Sequence, residues 1–252
     1  MSEWRLYLNV GNTSAQLGVW QEGSWLHVSR KPARAALGAM RDLCEVLALD
    51  REELSTVAAC FSTAASGVWE AATEVVLERP VALMGRDFRA EIQTRYHQPE
   101  ELGQDRVANI LAAVAAGYAP CLILDAGTCL TADVVDAEGV HQGGAIAPGL
   151  RAGLEGVLAG APHLAHSVPT LPLEEAAALG LDTRENLALG LTVALLGTAE
   201  ALIRRLRQMT NPPAQVILTG GDAPLLAAGL EADAEVRPEL TLEGLRLAHE
   251  RA

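Results

Sequence analysis

Apolar and polar positions along the first part of the chain fall into short runs separated by turn residues. An apolar run over residues 6–10 ends at Asn9 and Gly11. A second run follows over 15–20, and a third occupies 24–29 beyond a turn at Gly23. Runs bounded in this way predict a three-stranded β-meander. The spacing then becomes helical over 33–47. It is followed by a strand over 56–61, a helix over 67–77, a short strand over 81–84 and a helix over 105–116. The second half runs in a similar order. A meander over 122–146 leads to a short helix from Pro148 and a long helix over 184–209. A strand over 215–218, a helix from Asp222, a short strand near 234–236 and a final helix from Leu242 complete it. Strands alternating with helices predict parallel crossovers within mixed sheets, and so an α/β fold.

The two meanders also match in sequence. Leu6-Tyr7-Leu8-Asn9-Val10-Gly11 returns 116 positions later as Leu122-Ile123-Leu124-Asp125-Ala126-Gly127. The same offset, without a gap, sets Val19 on Val135, Glu22 on Glu138 and Gly23 on Gly139. Solenoid units run to about 20–50 residues, so this period predicts two similar lobes instead. The expected lobes are residues 1–116 and 117–252, related by duplication and each opening with a β-meander. That order describes the actin-like (ribonuclease H-like, hexokinase-like) fold.

Composition narrows the chemistry. Half the residues are hydrophobic and 20% are charged, the balance of a globular protein. A formal net charge of −13 argues against a broad nucleic-acid surface, which needs clustered Lys and Arg. A small anion is still compatible, because one arginine and a few backbone amides suffice locally. Lys31 is the only lysine and Pro32 follows it, so no GxxxxGK[ST] phosphate loop exists; GxGxxG and GxSxG are also missing. The first ten residues carry Glu3 and no cationic run, unlike a signal peptide. No apolar run approaches the roughly 18–20 residues that span a bilayer. The expected setting is cytoplasmic, with no membrane or nucleic-acid partner.

Cys44, Cys60, Cys121 and Cys129 form no CxxC pair and read as reduced, buried thiols. His163 and His166 lack a third ligand and read as loop residues; His141 reads as a turn residue. Trp4, Trp20 and Trp25 read as packing, and Glu174-Glu175 as a solvated helix start.

The candidate chemistry sits where strands end. Asn9-Val10-Gly11-Asn12-Thr13 and Asp125-Ala126-Gly127-Thr128 each place a polar residue at a strand end, then glycine, then a hydroxyl. Glycine admits close approach of a ligand, the amides and hydroxyls can meet phosphate oxygens, and a carboxylate can face a metal ion or its waters. Two such hairpins facing one cleft would hold a polyphosphate from both sides. Thr219-Gly220-Gly221 ends a later strand and leaves room for a flat base or ribose.

Between the repeats lies Tyr96, followed by Gly103-Gln104-Asp105-Arg106; Gly143-Gly144 and Pro148-Gly149 follow the second hairpin. With the hairpins and Thr219-Gly220-Gly221, the order of these motifs resembles the type III pantothenate kinases over nearly the whole chain. The resemblance implies ATP-dependent phosphorylation of pantothenate, with Mg²⁺ and a monovalent cation, K⁺ or NH₄⁺, as cofactors. It implies Asp105 as general base, and Arg106 with Tyr96, Gly103 and Gln104 around pantothenate. Asp125 would bind the monovalent cation. Asn9, Gly11, Asn12, Thr13, Gly127, Thr128, Gly220 and Gly221 would contact ATP, and Thr183 would reach the substrate across a homodimer. The chain departs from the family pattern at Asn9, where the first motif has Asp. Three readings follow: a pantothenate kinase, a non-catalytic or impaired relative kept for binding or regulation, and another sugar or acid kinase of the same superfamily.

Overall fold

The computed structural model describes residues 3–48, 53–61, 66–171 and 178–252. Glu174-Glu175 lies outside the described residues. The chain gathers into two compact units: Met1–Ile92 with Glu100–Ala112 and Glu239–Ala252, and Gln93–Pro99 with Ala113–Pro238.

The first unit opens with β1 (Trp4–Val10), β2 (Ser14–Gln21) and β3 (Ser24–Pro32). It continues through α1 (Ala36–Leu47), β4 (Leu54–Phe61), α2 (Ser66–Leu77) and β5 (Ala82–Leu83). The helix α3 (Gln104–Ala115) leads into the second unit. There β6 (Cys121–Ala126), β7 (Cys129–Val135) and β8 (His141–Pro148) precede α4 (Leu150–Gly160) and α5 (Thr183–Leu206). Then come β9 (Gln215–Thr219), α6 (Ala223–Gly229) and β10 (Ala234–Val236), and α7 (Leu240–Glu250) returns to the first unit. Two expected helix starts move. Residues 33–35 form a 3₁₀ turn before α1, and α4 begins at Leu150 because Pro148 still belongs to β8 and Gly149 is extended (φ −83°, ψ −174°).

Each unit holds a five-stranded sheet of one order, β3-β2-β1-β4-β5 and β8-β7-β6-β9-β10, in which three antiparallel strands adjoin two parallel ones. The registers revise the gapless match. Val10 pairs with Ala15 but Ala126 pairs with Leu130, so the loop of the second hairpin is one residue shorter. The following turn restores the count: Gln21 pairs with Ser24, whereas Asp136 N–H reaches Val140 O at 3.0 Å across one residue more. Asn9 therefore corresponds to Asp125, but Val19 corresponds to Val134, not Val135. Two compensating one-residue changes had left the overall offset intact.

Strand alternation divides each sheet into two faces. In the first, Leu6, Leu8, Leu17 and Val57 pack with Met40 and Leu43 of α1 and Trp69 and Leu77 of α2. In the second, Leu122, Leu124, Leu130 and Leu218 pack with Leu154 of α4, Leu191 and Leu195 of α5 and Leu226 of α6. The polar strand-end residues Asn9 and Asp125 alternate to the opposite faces.

The helix α5 departs from expectation. With the 3₁₀ turn after it, Thr183–Met209 is long and apolar enough to cross a membrane by length and composition, with mean hydropathy 1.6 over 18 residues. Interruptions by Thr192, Thr198 and Glu200 hide this from a count of consecutive apolar residues, but Ala, Leu and Val keep the average high. Only 28% of that window is buried. Leu191, Leu195, Ala199 and Ile203 face the core, while Val193, Ala194, Gly197 and Ala201 are exposed.

Candidate functional site

In the first unit, Asn9 ends β1 between Gln16 of β2 and Cys60 of β4. The loop after it is closed by Gly11 N–H donating to Ser14 O at 2.9 Å, and Ala33 N–H donates to Thr13 O at 3.0 Å. A Cβ on Gly11 would meet nothing nearer than Ser14 O at 3.5 Å, an ordinary contact. Nothing within this loop demands glycine, which leaves the space beside it open to a ligand.

The Gly103–Arg106 segment forms the N-terminus of α3. Asp105 is exposed, and its Oδ1 accepts the Arg106 N–H at 2.8 Å. Gly103 lies against this carboxylate, and the Gln104 side chain packs on Gly85. Arg106 itself is buried, as is Asn109, whose Oδ1 accepts from Thr241 Oγ1 of α7 at 2.7 Å. Burial pushes the Cys60 thiol pKa up, and the Asp105 charge adds to the shift. Cys60 is also the register partner of Asn9.

In the second unit a tighter group forms. Asp125 pairs with Thr131 and Thr219. Gly220, at φ +94°, lies so close that a Cβ there would fall 2.5 Å from Asp125 Oδ1 and 2.4 Å from Ala126 O. A Cβ on Gly149 would fall 2.3 Å from Gly127 O. Thr128 O accepts from Gly149 N–H at 3.2 Å, tying the second hairpin to the start of α4. Asp222 N–H donates to Ala126 O at 2.9 Å, tying it to the turn before α6. Asp125, Gly127, Thr128 and Gly220 thus converge, with exposed Gly221 beside them. Thr219 Oγ1 is buried without a hydrogen-bond partner among the described residues, next to Asp125 in register.

Tyr96 lies elsewhere in this unit, stacked on His141 with ring centroids 5.7 Å apart. His141 and Asp133 are buried, and His141 Nε2 is 2.9 Å from Asp133 Oδ1. No local motif marks this pair, and His141 is a core residue, not the turn filler expected. Thr183 is exposed at the first position of α5, behind Asp182, whose Oδ1 caps Glu185 N–H at 2.8 Å. His163 and His166 are exposed in a 3₁₀ turn. All four cysteines are free; Cys60 and Cys121 are buried as expected, whereas Cys44 is half-buried and Cys129, the first residue of β7, is exposed.

Two sheets of like order, each opening with a meander whose strand-end loop carries polar and glycine residues, define an α/β protein of the actin-like sugar-kinase fold. The comparisons agree. The ROK family glucokinase from Streptomyces griseus, solved with glucose and AMPPNP, aligns over 98% of this chain and 99% of that chain at TM-score 0.50 and 15% identity. The activator of the 2-hydroxyisocaproyl-CoA dehydratase from Clostridium difficile, solved with ADPNP, aligns over 98% and 95% at TM-score 0.52 and 11% identity. A family model for type III pantothenate kinase matches residues 5–205. Type III pantothenate kinases from Halorhodospira halophila and Parafrankia sp. are 34% and 32% identical, over 96% and 98% of this chain and 96% and 97% of theirs. The chain belongs to the type III pantothenate kinase family, and so to the kinase class of transferases.

Proposed function

We propose that this chain transfers the γ-phosphoryl group of ATP to pantothenate, giving 4'-phosphopantothenate and ADP, the first step of coenzyme A biosynthesis. The family match over residues 5–205 carries this reading. The convergence of Asp125, Gly127, Thr128 and Gly220 supports it, since a strand-end carboxylate among close-packed backbone turns suits a polyphosphate and its counterions. The glucokinase and the dehydratase activator of the same fold were solved with adenine nucleotide analogues.

In this mechanism Asp105 accepts the proton of the pantothenate hydroxyl as its oxygen attacks the γ-phosphorus, and the bond to the ADP oxygen breaks. Its exposed position at a helix start leaves it accessible to an acceptor hydroxyl. Arg106 is read as the partner of the pantothenate carboxylate, and Tyr96, Gly103 and Gln104 as further pantothenate contacts. The loops at Asn9–Thr13 and Gly127–Thr128 hold phosphates, and Gly220-Gly221 receives the nucleoside. The duplicated lobes, residues 1–116 and 117–252, each supply one of these phosphate loops.

The oxygens beside Asp125 fit a monovalent cation, K⁺ or NH₄⁺: its carboxylate and the Thr219 hydroxyl, unpartnered among the described residues. Such a cation would supply positive charge against the phosphates. Mg²⁺ is commonly held through phosphates with one or two carboxylates, so it needs no closed cluster of side chains. Among the described residues no three His, Cys, Asp or Glu form one. The exposed apolar face of α5, with Thr183 at its start, supports a homodimer, and the family supports a cytoplasmic setting. Sedimentation at micromolar concentration showing only monomer would overturn the homodimer reading.

Asn9 favours a second reading, a non-catalytic or impaired relative. ADP release coupled to pantothenate, with Mg-ATP and K⁺, separates the two, and a panel of sugars and hydroxy acids separates pantothenate from other acceptors. ADP release that depends on pantothenate alone is expected; none with any acceptor would overturn the kinase reading.

A further inference from the structure

The buried Asp133–His141 pair forms part of a hydrogen-bonded chain that reaches Tyr96. His141 Nε2 meets Asp133 Oδ1 at 2.9 Å, and Thr94 Oγ1 meets His141 Nδ1 at 2.9 Å. Tyr96 N–H then donates to Thr94 Oγ1 at 3.0 Å. One tautomer satisfies every link: Nε2–H donates to Asp133, Nδ1 accepts the Thr94 hydroxyl proton, and the remaining Thr94 lone pair accepts from Tyr96. The His141 backbone fixes the same segment, donating to Gln93 O at 2.9 Å and accepting from Arg95 N–H at 2.8 Å. The imidazole face then supports the Tyr96 ring.

The fold does not require a polar pair at this place, and the first unit provides the control. By register, Gly18 and Trp25 occupy the positions of Asp133 and His141. There an indole fills the space over glycine: a Cβ on Gly18 would lie 2.7 Å from Trp25 Cζ3. Buried charged or polar pairs are weak contributors to stability compared with apolar packing of the same volume. Their use is to fix geometry.

We propose that Asp133, His141 and Thr94 are positioning residues that hold Tyr96 in place for the carboxylic-acid substrate. This rests on the reading of Tyr96 as a pantothenate contact. The test is steady-state kinetics of the full chain with pantothenate and ATP varied separately. Thr94→Val keeps the side-chain shape and removes the hydroxyl; KM for pantothenate should rise about five- to tenfold, as for one lost hydrogen bond. Turnover and KM for ATP should stay close to those of the unmodified chain, and Thr94→Ser should restore KM. Asp133→Asn should act in the same direction, with the fold checked by circular dichroism. In the double variant Thr94→Val, Tyr96→Ala, the Thr94 effect should vanish, because its target is gone. If Tyr96→Ala alone leaves pantothenate KM unchanged, the reading of Tyr96 fails and the proposal falls with it. If Tyr96→Ala raises KM but Thr94→Val does not, or the two effects add, that reading stands and the positioning chain is overturned.

Discussion

The two sheets share order and direction but end differently. At the end of β1 stands neutral Asn9, flanked by Gln16 and Cys60, with a glycine that no contact within its loop demands. At the end of β6 stands Asp125, flanked by Thr131 and Thr219, with Gly149 and Gly220 pressed against the hairpin so closely that no other residue fits. Deeper in the sheets the contrast repeats, with the Trp25 indole against Gly18 where Asp133 and His141 form a polar pair. A duplicated fold thus keeps backbone topology while its side chains diverge. At these places the second unit carries charge where the first carries neutral or apolar side chains, and α3 adds Asp105 beside the first sheet.

The largest expected effect tests whether acid–base chemistry belongs to that added helix and not to either sheet end. Asp105→Asn preserves the helix-start acceptor but cannot take a proton, so turnover should fall about 100- to 10,000-fold. ATP affinity should change little. Pre-steady-state and equilibrium nucleotide binding separate the two quantities, and unchanged turnover would remove Asp105 from the chemistry.

A second contrast concerns the glycines. Gly220→Ala forces a Cβ onto Ala126 O at positive φ and should destabilise the protein by about 3 kcal/mol. Gly11→Ala should leave stability within about 0.5 kcal/mol, since it meets only ordinary contacts. It should instead weaken nucleotide binding if a phosphate approaches that backbone. Urea denaturation measures the first effect and calorimetry with Mg-ATP the second. Equal destabilisation by the two changes would erase the contrast in packing.

Arg106→Ala should act next in size. The side chain is buried, and loss of a charge-assisted bond to a carboxylate costs about 1.5–3 kcal/mol. Pantothenate KM should carry most of that loss. An effect confined to thermal stability would assign Arg106 to the core instead.

Much of this contrast could be read from residue order. Strand-end glycines, alternating apolar runs and Asp105-Arg106 are local features, and local features write themselves into sequence. The Asp133–His141 pair could not be read in this way. It depends on a β-bulge between Val134 and Val135, which carries His141 onto the face of Asp133 although the sequence numbers place them eight apart. Gly149 was legible as part of a motif, but its reason was not, because the carbonyls it approaches come from another strand end. Which residues of the long apolar helix α5 are exposed was not legible, because burial is a property of packing, while hydropathy alone describes a core helix and an interface helix equally well. The one-residue shift within the repeat was invisible because two opposite changes cancel in the numbering.

The smallest expected effect bears most directly on the comparison, because it makes the two strand ends alike. Asn9→Asp restores at β1 the carboxylate that Asp125 provides at β6. The same charge should lower the Mg²⁺ concentration needed for half-maximal rate, since an amide oxygen can accept from a metal-bound water but supplies no charge. Turnover at saturating Mg²⁺ should increase severalfold or less, on the order of 1 kcal/mol in barrier. Mg²⁺ titrations on the unmodified chain and on Asn9→Asp measure both shifts together. If the two proteins share rate and Mg²⁺ dependence, the first strand end works without a charge. The asymmetry between the sheets is then complete: one end for charge, the other for backbone contacts alone.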